Sequence, residues 1–266
     1  MNFTDKRVWI TGAASGIGEA LCYELSNRGA RLILSSRTET ALQRVANGCA
    51  QPGRHLVLPI DLSQPTQIDE KTPLALKDVG AVDILINAAG VSQRSLAKDT
   101  PLTIERYLME VNYFGSVAMT KAVLPHMLER SSGHIVTISS VVGKFGTPYR
   151  SSYCASKHAL HGYMDSLRAE IWNTGIFVTL ICPGFVRTNA PVHALTASGE
   201  AYGQMEETHN RGMATATCAK KIVRAIEKRK SEVYIGGKEV LGVHIKRFAP
   251  ALLSRIVRLS AGSGAN

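Results

Sequence analysis

Arg7-Val8-Trp9-Ile10-Thr11-Gly12-Ala13-Ala14-Ser15-Gly16-Ile17-Gly18 is an apolar run of strand length, a glycine turn and the start of a helix that should end near Arg28. Glycines in that setting let the backbone turn tightly and approach a pyrophosphate, whose charge the helix N-terminus stabilises. The spacing is G-x-x-x-G-x-G rather than G-x-G-x-x-G, so the general dinucleotide fingerprint applies only in part. A glycine-rich turn by itself is often just a turn. Placed between strand and helix at the head of the chain, it predicts a dinucleotide site, with Gly12, Ser15, Gly16, Ile17 and Gly18 as its contacts.

Further strands are predicted at residues 31–35, 55–59, 82–87, 133–139, 177–182 and 232–235. Most are continuous apolar runs, as parallel strands covered on both faces should be. The stretches between them are long enough for helical right-handed crossovers. The prediction is an α/β fold with a single Rossmann-like, doubly wound, parallel seven-stranded sheet flanked by helices. A chain of 266 residues with 45% hydrophobic content suits one dinucleotide-binding and catalytic domain over residues 1–266. No apolar run approaches the roughly 20 residues needed to span a bilayer. The start runs directly into the first strand, so no signal peptide is expected. Five scattered cysteines without ligand spacing read as reduced thiols in a cytoplasmic protein with no metal.

The second strand ends in Ser35, Ser36 and Arg37. An NAD enzyme would be expected to offer a carboxylate there to the ribose 2′-hydroxyl. With no acid and a guanidinium in its place, a 2′-phosphate is welcome, which predicts NADP(H). Asp61-Leu62, after the third strand, suits an adenine contact or a helix N-cap. Asn87-Ala88-Ala89-Gly90 supplies small residues that let backbone lie close to a cofactor. Asn112 sits in an otherwise apolar helical stretch, where Asn disfavours helix and wants a partner; a kink holding a water is expected.

Ser139-Ser140 and Tyr153-Cys154-Ala155-Ser156-Lys157 carry the chemistry. Tyr153 and Lys157 are four apart and share one helix face. Taken alone, such a pair is more often two surface neighbours. Its chemical use is that an ammonium beside a phenol lowers the phenol's pKa from about 10 and makes it a usable general acid-base. Ser140, following a buried strand, is placed where open α/β sheets put their chemistry and could polarise a carbonyl oxygen.

Thr11-Gly-x-x-x-Gly16-Ile-Gly18, Asn87-Ala-Ala-Gly90, Asn112, Ser140, Tyr153-x-x-x-Lys157 and Pro183-Gly184 together resemble the short-chain dehydrogenase/reductase family, in order and along nearly the whole chain. Residues 90–95, 123–127 and 153–160 are similar to its dehydrogenase/reductase member 7 and 7B subgroup in animals. Those relatives carry an N-terminal membrane anchor that is not expected in this sequence, so membrane residence is not carried over. The resemblance implies that Tyr153 exchanges a proton with the carbonyl or alcohol oxygen. It makes Lys157 the partner that lowers the Tyr153 pKa and binds the nicotinamide ribose. Ser140 would hold the carbonyl oxygen, and Asn112 would anchor a water in the proton relay. Pro183, Gly184 and Val186 would border the nicotinamide, and Thr188 its carboxamide or the pyrophosphate. A homodimer or homotetramer is implied in the same way.

Substrate choice is expected in a lid over about residues 185–217, whose Phe185, Leu195, Tyr202, Met205 and Met213 suggest an apolar pocket, or merely pack the lid down. Gln93 and Arg94 are placed near the pocket mouth, and His158 and His161 at an interface or in the core. From Thr217 to Asn266 there are eleven Lys and Arg against three Glu, eight of the chain's net +10. The tail over about residues 241–266 interleaves these bases with apolar residues. Such a tail could make peripheral contact with an anionic membrane, or pack over the substrate site or a partner subunit. Nucleic acid is not expected, because no recognition motif accompanies the charge. The expected activity is NADP(H)-dependent reduction of an apolar ketone or aldehyde, or oxidation of the matching alcohol. The alternatives are a 3-oxoacyl thioester reductase drawn to an acidic carrier, and an NADP(H)-binding regulatory protein without turnover.

Overall fold

The computed structural model describes residues 2–262. In chain order the elements are β1 (Arg7–Thr11), α1 (Gly16–Ser26), β2 (Arg31–Ser35), α2 (Glu39–Gly48), β3 (Leu56–Val57), α3 (Pro65–Val79), β4 (Ile84–Asn87) and α4 (Leu102–Met109). A π-helical turn (Glu110–Phe114) joins α4 to α5 (Gly115–Glu129). There follow β5 (Gly133–Ile138), α6 (Ser151–Glu170), β6 (Ile176–Pro183), β7 (Val186–Arg187), α7 (Glu207–Asn210), β8 (Met213–Ala214), α8 (Thr215–Glu227), β9 (Glu232–Ile235), α9 (Leu241–Phe248) and α10 (Pro250–Gly262).

Seven strands form one parallel sheet in the order β3-β2-β1-β4-β5-β6-β9. Strand order reverses between β1 and β4, so the loops that follow these two strands leave in opposite directions and open a crevice at their C-terminal ends. Successive strand residues point to opposite faces, and the apolar residues sort accordingly. Val8, Ile10, Ile84 and Ile86 face a core closed by α1, α2 and α8, while Trp9, Leu85 and Ile135 face a second core under α3, α5 and α6. Trp9, fully buried, donates its indole N–H to Ser35 Oγ at 2.9 Å. The predicted third strand contracts to Leu56–Val57. Pro59 has no N–H to give the ladder, although Leu58 and Ile60 still donate to Leu34 and Ser36 carbonyls.

Opposite the crevice, Asp83 binds the starts of β1 and β4 together. It accepts from the Arg7 backbone N–H at 2.9 Å and pairs with Arg130 at 2.9 Å and Lys6 at 3.8 Å. Burial works against the Asp83 charge, but the Arg7 N–H, Arg130 and the neighbouring cations outweigh it and hold the carboxyl below its ordinary value. Asp83→Asn should therefore lower the unfolding free energy by about 1–3 kcal/mol at neutral pH. A group depressed in the folded state stabilises above its unfolded pKa and loses that effect as pH falls. Urea titrations should show the gap between wild type and variant closing below about pH 4.

Candidate active site

The crevice is a cleft of about 410 Å³. Its floor is the β1–α1 turn, and Ser15, Gly16, Ile17 and Gly18 all line it. Gly12 has φ +66°, and a Cβ there would lie 2.7 Å from Ala89 Cα; a Cβ on Gly18 would lie 2.2 Å from Gly12 O. The turn is thus pressed onto the loop after β4, and Thr11 Oγ1 bonds the two by accepting from Ala88 and Ala89 N–H at 3.2 and 3.3 Å. The result is a bare backbone ledge at a helix N-terminus, fitted to a pyrophosphate.

A side cavity of about 140 Å³ continues the cleft past Ser36, Arg37, Asp61 and Leu62. Ser36 Oγ is buried there with no partner among the described residues. Arg37 borders both spaces and donates to Tyr107 OH at 3.0 Å. No carboxylate stands at the end of β2. Asp61 turns its carboxylate to Ser63, accepting from its N–H at 2.9 Å and its hydroxyl at 2.8 Å, so it caps the turn into α3 while bordering the cavity. An orphaned hydroxyl beside a guanidinium fits the phosphorylated ribose of a dinucleotide.

Ala88 and Gly90 line the near wall, and Pro183, Gly184, Val186 and Thr188 the far one. Asn87 does not reach the cleft. Its amide turns toward α5 and donates to Thr120 Oγ1 at 3.1 Å, because the alternation of β4 aims that side chain away from the crevice.

Ser140, Tyr153 and Lys157 meet at the middle of the cleft. Lys157, buried, donates from Nζ to Ile138 O at 3.0 Å, and Nζ stands 5.7 Å from the Tyr153 ring centre. Ser140 Oγ accepts from Val142 N–H and donates to Pro183 O, each at 3.3 Å, which fixes it at the end of β5. Asn112 lies fully buried in the π-helical turn, so the expected kink is present. Its Oδ1 accepts from Val91 N–H at 2.7 Å and its Nδ2 donates to Val91 O and Ser156 Oγ at 2.9 Å. Asn112 thereby joins the loop after β4 to α6. Burial pushes the Tyr153 phenol up to about 12, against the opposing Arg150 charge and Ser140 hydroxyl. Burial pulls the Lys157 ammonium down to about 8, and one of its three N–H donors goes to the Ile138 carbonyl.

A family profile described as short chain dehydrogenase matches residues 6–197. The dehydrogenase/reductase SDR family member 7B of Danio rerio is 41% identical over 264 residues, covering 96% of this chain and 85% of that protein. The chain belongs to the short-chain dehydrogenase family. Two solved neighbours extend the likeness to the whole fold. A short chain dehydrogenase/reductase from Burkholderia phymatum in complex with NAD gives a TM-score of 0.84 at 24% identity, over 95% of this chain and 96% of that one. A short chain dehydrogenase from Burkholderia cenocepacia in complex with NADP gives 0.80 at 22% identity, over 97% and 99%.

Within this short-chain dehydrogenase, several site residues escape sequence reasoning. Gln93 is not at the pocket mouth but fully buried under it, and its Oε1 accepts from the N–H groups of Ser152 and Tyr153 at 2.9 and 3.2 Å. It satisfies the orphan donors at the start of α6 and so aims Tyr153. The lid crosses the loop after β4 as a strand-like strap, Leu195 N–H to Ser92 O at 2.9 Å and Arg94 N–H to Leu195 O at 2.8 Å. Glu206 latches it, pairing with Arg94 at 3.4 Å, with Arg150, and with His209 at 3.0 Å. Burial opposes the Glu206 charge, yet its bond to His209 and the Arg150 and Arg94 charges bring it down to about 2. The lid wall is less apolar than predicted. Asn189, Ala190, His193, Leu195 and His209 face the cleft, while Phe185 packs edge-on to His209, Tyr202 stacks on Arg94, Met213 joins the core and Met205 is exposed. His161 is a core residue, with Ser139 Oγ at 3.0 Å, and His158 is exposed. Gln93→Leu should lower stability by about 1–3 kcal/mol, since two buried donors lose their acceptor. It should also reduce kcat with little change in cofactor Kd, separable by calorimetric titration and steady-state kinetics.

Proposed function

We propose that this oxidoreductase is an NADP(H)-dependent carbonyl reductase acting on a ketone or aldehyde small enough for the cleft. The observation that carries the reading is the convergence of Tyr153, Ser140 and Lys157 on one cleft, with Asn112 locking the wall behind them. With its pyrophosphate on the glycine ledge, a bound dinucleotide would supply the hydride from its nicotinamide. The Tyr153 phenol keeps its proton at neutral pH and lines the cleft where it can give that proton to a carbonyl oxygen. The Ser140 hydroxyl, by exchanging its long 3.3 Å bond to Pro183 O, suits a hydrogen bond to the oxygen as negative charge develops. Lys157 would hold the nicotinamide ribose. Its ammonium, depressed to about 8, remains charged at neutral pH and loses its proton above that value.

The solved neighbours carry NAD in one case and NADP in the other, so the choice rests on this chain's own residues. Unpartnered Ser36 Oγ, the Arg37 guanidinium and the missing acid after β2 favour the 2′-phosphate.

Tyr153→Phe should lower kcat for NADPH-dependent reduction by about 10²–10⁴-fold. In the wild type, kcat/KM for reduction should be level near neutral pH and fall as pH rises past about 8, as the Lys157 charge is lost. Ser36→Asp with Arg37→Ala should move the NADPH to NADH ratio of kcat/KM toward NADH. An unchanged ratio would refute the cofactor assignment.

A further inference from the structure

α9 and α10 are apolar on two sides. On the inner side Val243, Ile245, Leu253 and Val257 pack with Val141 and Phe145, the residues that follow catalytic Ser140, and a Cβ on Gly242 would lie 2.9 Å from the Phe145 ring. The tail is therefore built onto the segment that forms one wall of the cleft. On the outer side Leu241, Phe248, Leu252, Ile256 and Leu259 remain exposed, Phe248 at 79% and Leu259 at 71%. Leu252, Ile256 and Leu259 follow the i, i+4, i+7 spacing of one helix stripe. A soluble domain seldom leaves so much large apolar side chain in water on consecutive helices without a use.

Lys238, Lys246, Arg247, Arg255 and Arg258 surround these residues. Among the described residues none of the five pairs with a carboxylate, and Arg258 donates only to Ser254 Oγ at 3.0 Å. The one acid between residues 238 and 259 is Glu239, and it is spent internally: its Oε1 accepts from Phe185 N–H at 3.0 Å and Gly237 N–H at 2.9 Å. The surface thus offers apolar side chains together with uncompensated positive charge.

We propose that the outer face of α9 and α10 docks on an anionic lipid bilayer, with Phe248, Leu252, Ile256 and Leu259 below the headgroups and the arginines and lysines at the level of their negative charge. Helices that combine an apolar stripe with basic flanks bind in this way, through buried apolar area and attraction to anionic lipid together. A second copy of the same surface would bring five unpaired cations against five, in a chain already at +10, which like-charge repulsion opposes. Docked so, the protein carries the Ser140 side of its cleft close to the lipid.

The test mixes the full chain with sucrose-loaded vesicles of phosphatidylcholine containing about 30 mol% phosphatidylserine, or of phosphatidylcholine alone, and sediments them at low and high salt. Wild type should sediment with the anionic vesicles and be released by salt. Arg247→Gln/Arg255→Gln/Arg258→Gln should partition about a hundredfold more weakly, and Phe248→Ser/Leu252→Ser/Leu259→Ser at least as weakly, each with its Tm unchanged. Wild type left in the supernatant overturns the proposal, as does equal sedimentation of wild type and both variants. An oligomer in light scattering that the serine variant dissociates, with no vesicle binding, would make the face a self-contact instead. Pull-down by an acidic carrier protein without vesicle binding would assign it to a protein partner.

Discussion

A buried ammonium needs acceptors and tolerates no misfit, and Lys157 sets that condition at the centre of this molecule. Its Nζ donates to the carbonyl of Ile138, the last residue of β5, at 3.0 Å. That bond seats α6 across the end of the sheet. The loop after β4 must then pass close by with a minimal side chain. A Cβ on Gly90 would lie 3.4 Å from Lys157 Nζ and 3.2 Å from Asn112 Oδ1. Asn112 completes the enclosure by bonding that loop on one side and Ser156 of α6 on the other, and the π-helical turn is the distortion that brings its amide into position. Burial costs the ammonium part of its affinity for a proton and also disfavours the phenolate of Tyr153, so the site rests with a protonated Tyr153.

Around that centre lie two supports of different character. Gln93 is a rigid one, fully buried and bonded to the first N–H groups of α6. Glu206 is a charged one, on the lid, held by two arginines and His209. The first fixes where Tyr153 points. The second holds the roof under which a substrate would sit, and the histidines that roof presents make the pocket more polar than the lid's composition suggests.

The fold is legible in the sequence because a parallel strand covered on both faces is apolar throughout, and because residues 7–18 place strand, turn and helix in one readable run. The ledge glycines and Tyr153-x-x-x-Lys157 are legible for the same reason: their geometry is set by short spacings. Asn87 is misplaced by sequence reasoning since a motif gives no side-chain direction, and the alternation of β4 turns it toward Thr120. Adjacency of Tyr153 and Lys157 on a helix says nothing of desolvation, which is the largest influence on the phenol. Arg94, Arg150 and Glu206 come from three separate segments, and no spacing announces that they meet. The tail's inner and outer faces are equally hidden, since the apolar residues that pack and those that stay exposed alternate within the same helices.

The chemistry proposed for this cleft is transfer of hydride from NADPH to a carbonyl carbon. The most direct measurement supplies NADPH carrying deuterium at C4, one face at a time, with a panel of ketones and aldehydes, and follows the label by mass spectrometry. Deuterium from one face alone should appear on the carbinol carbon of a product, and Tyr153→Phe should lose nearly all of it while still binding NADPH. Tight NADPH binding with no label transferred from either face to any carbonyl would contradict it and leave a protein that binds the nucleotide without turnover.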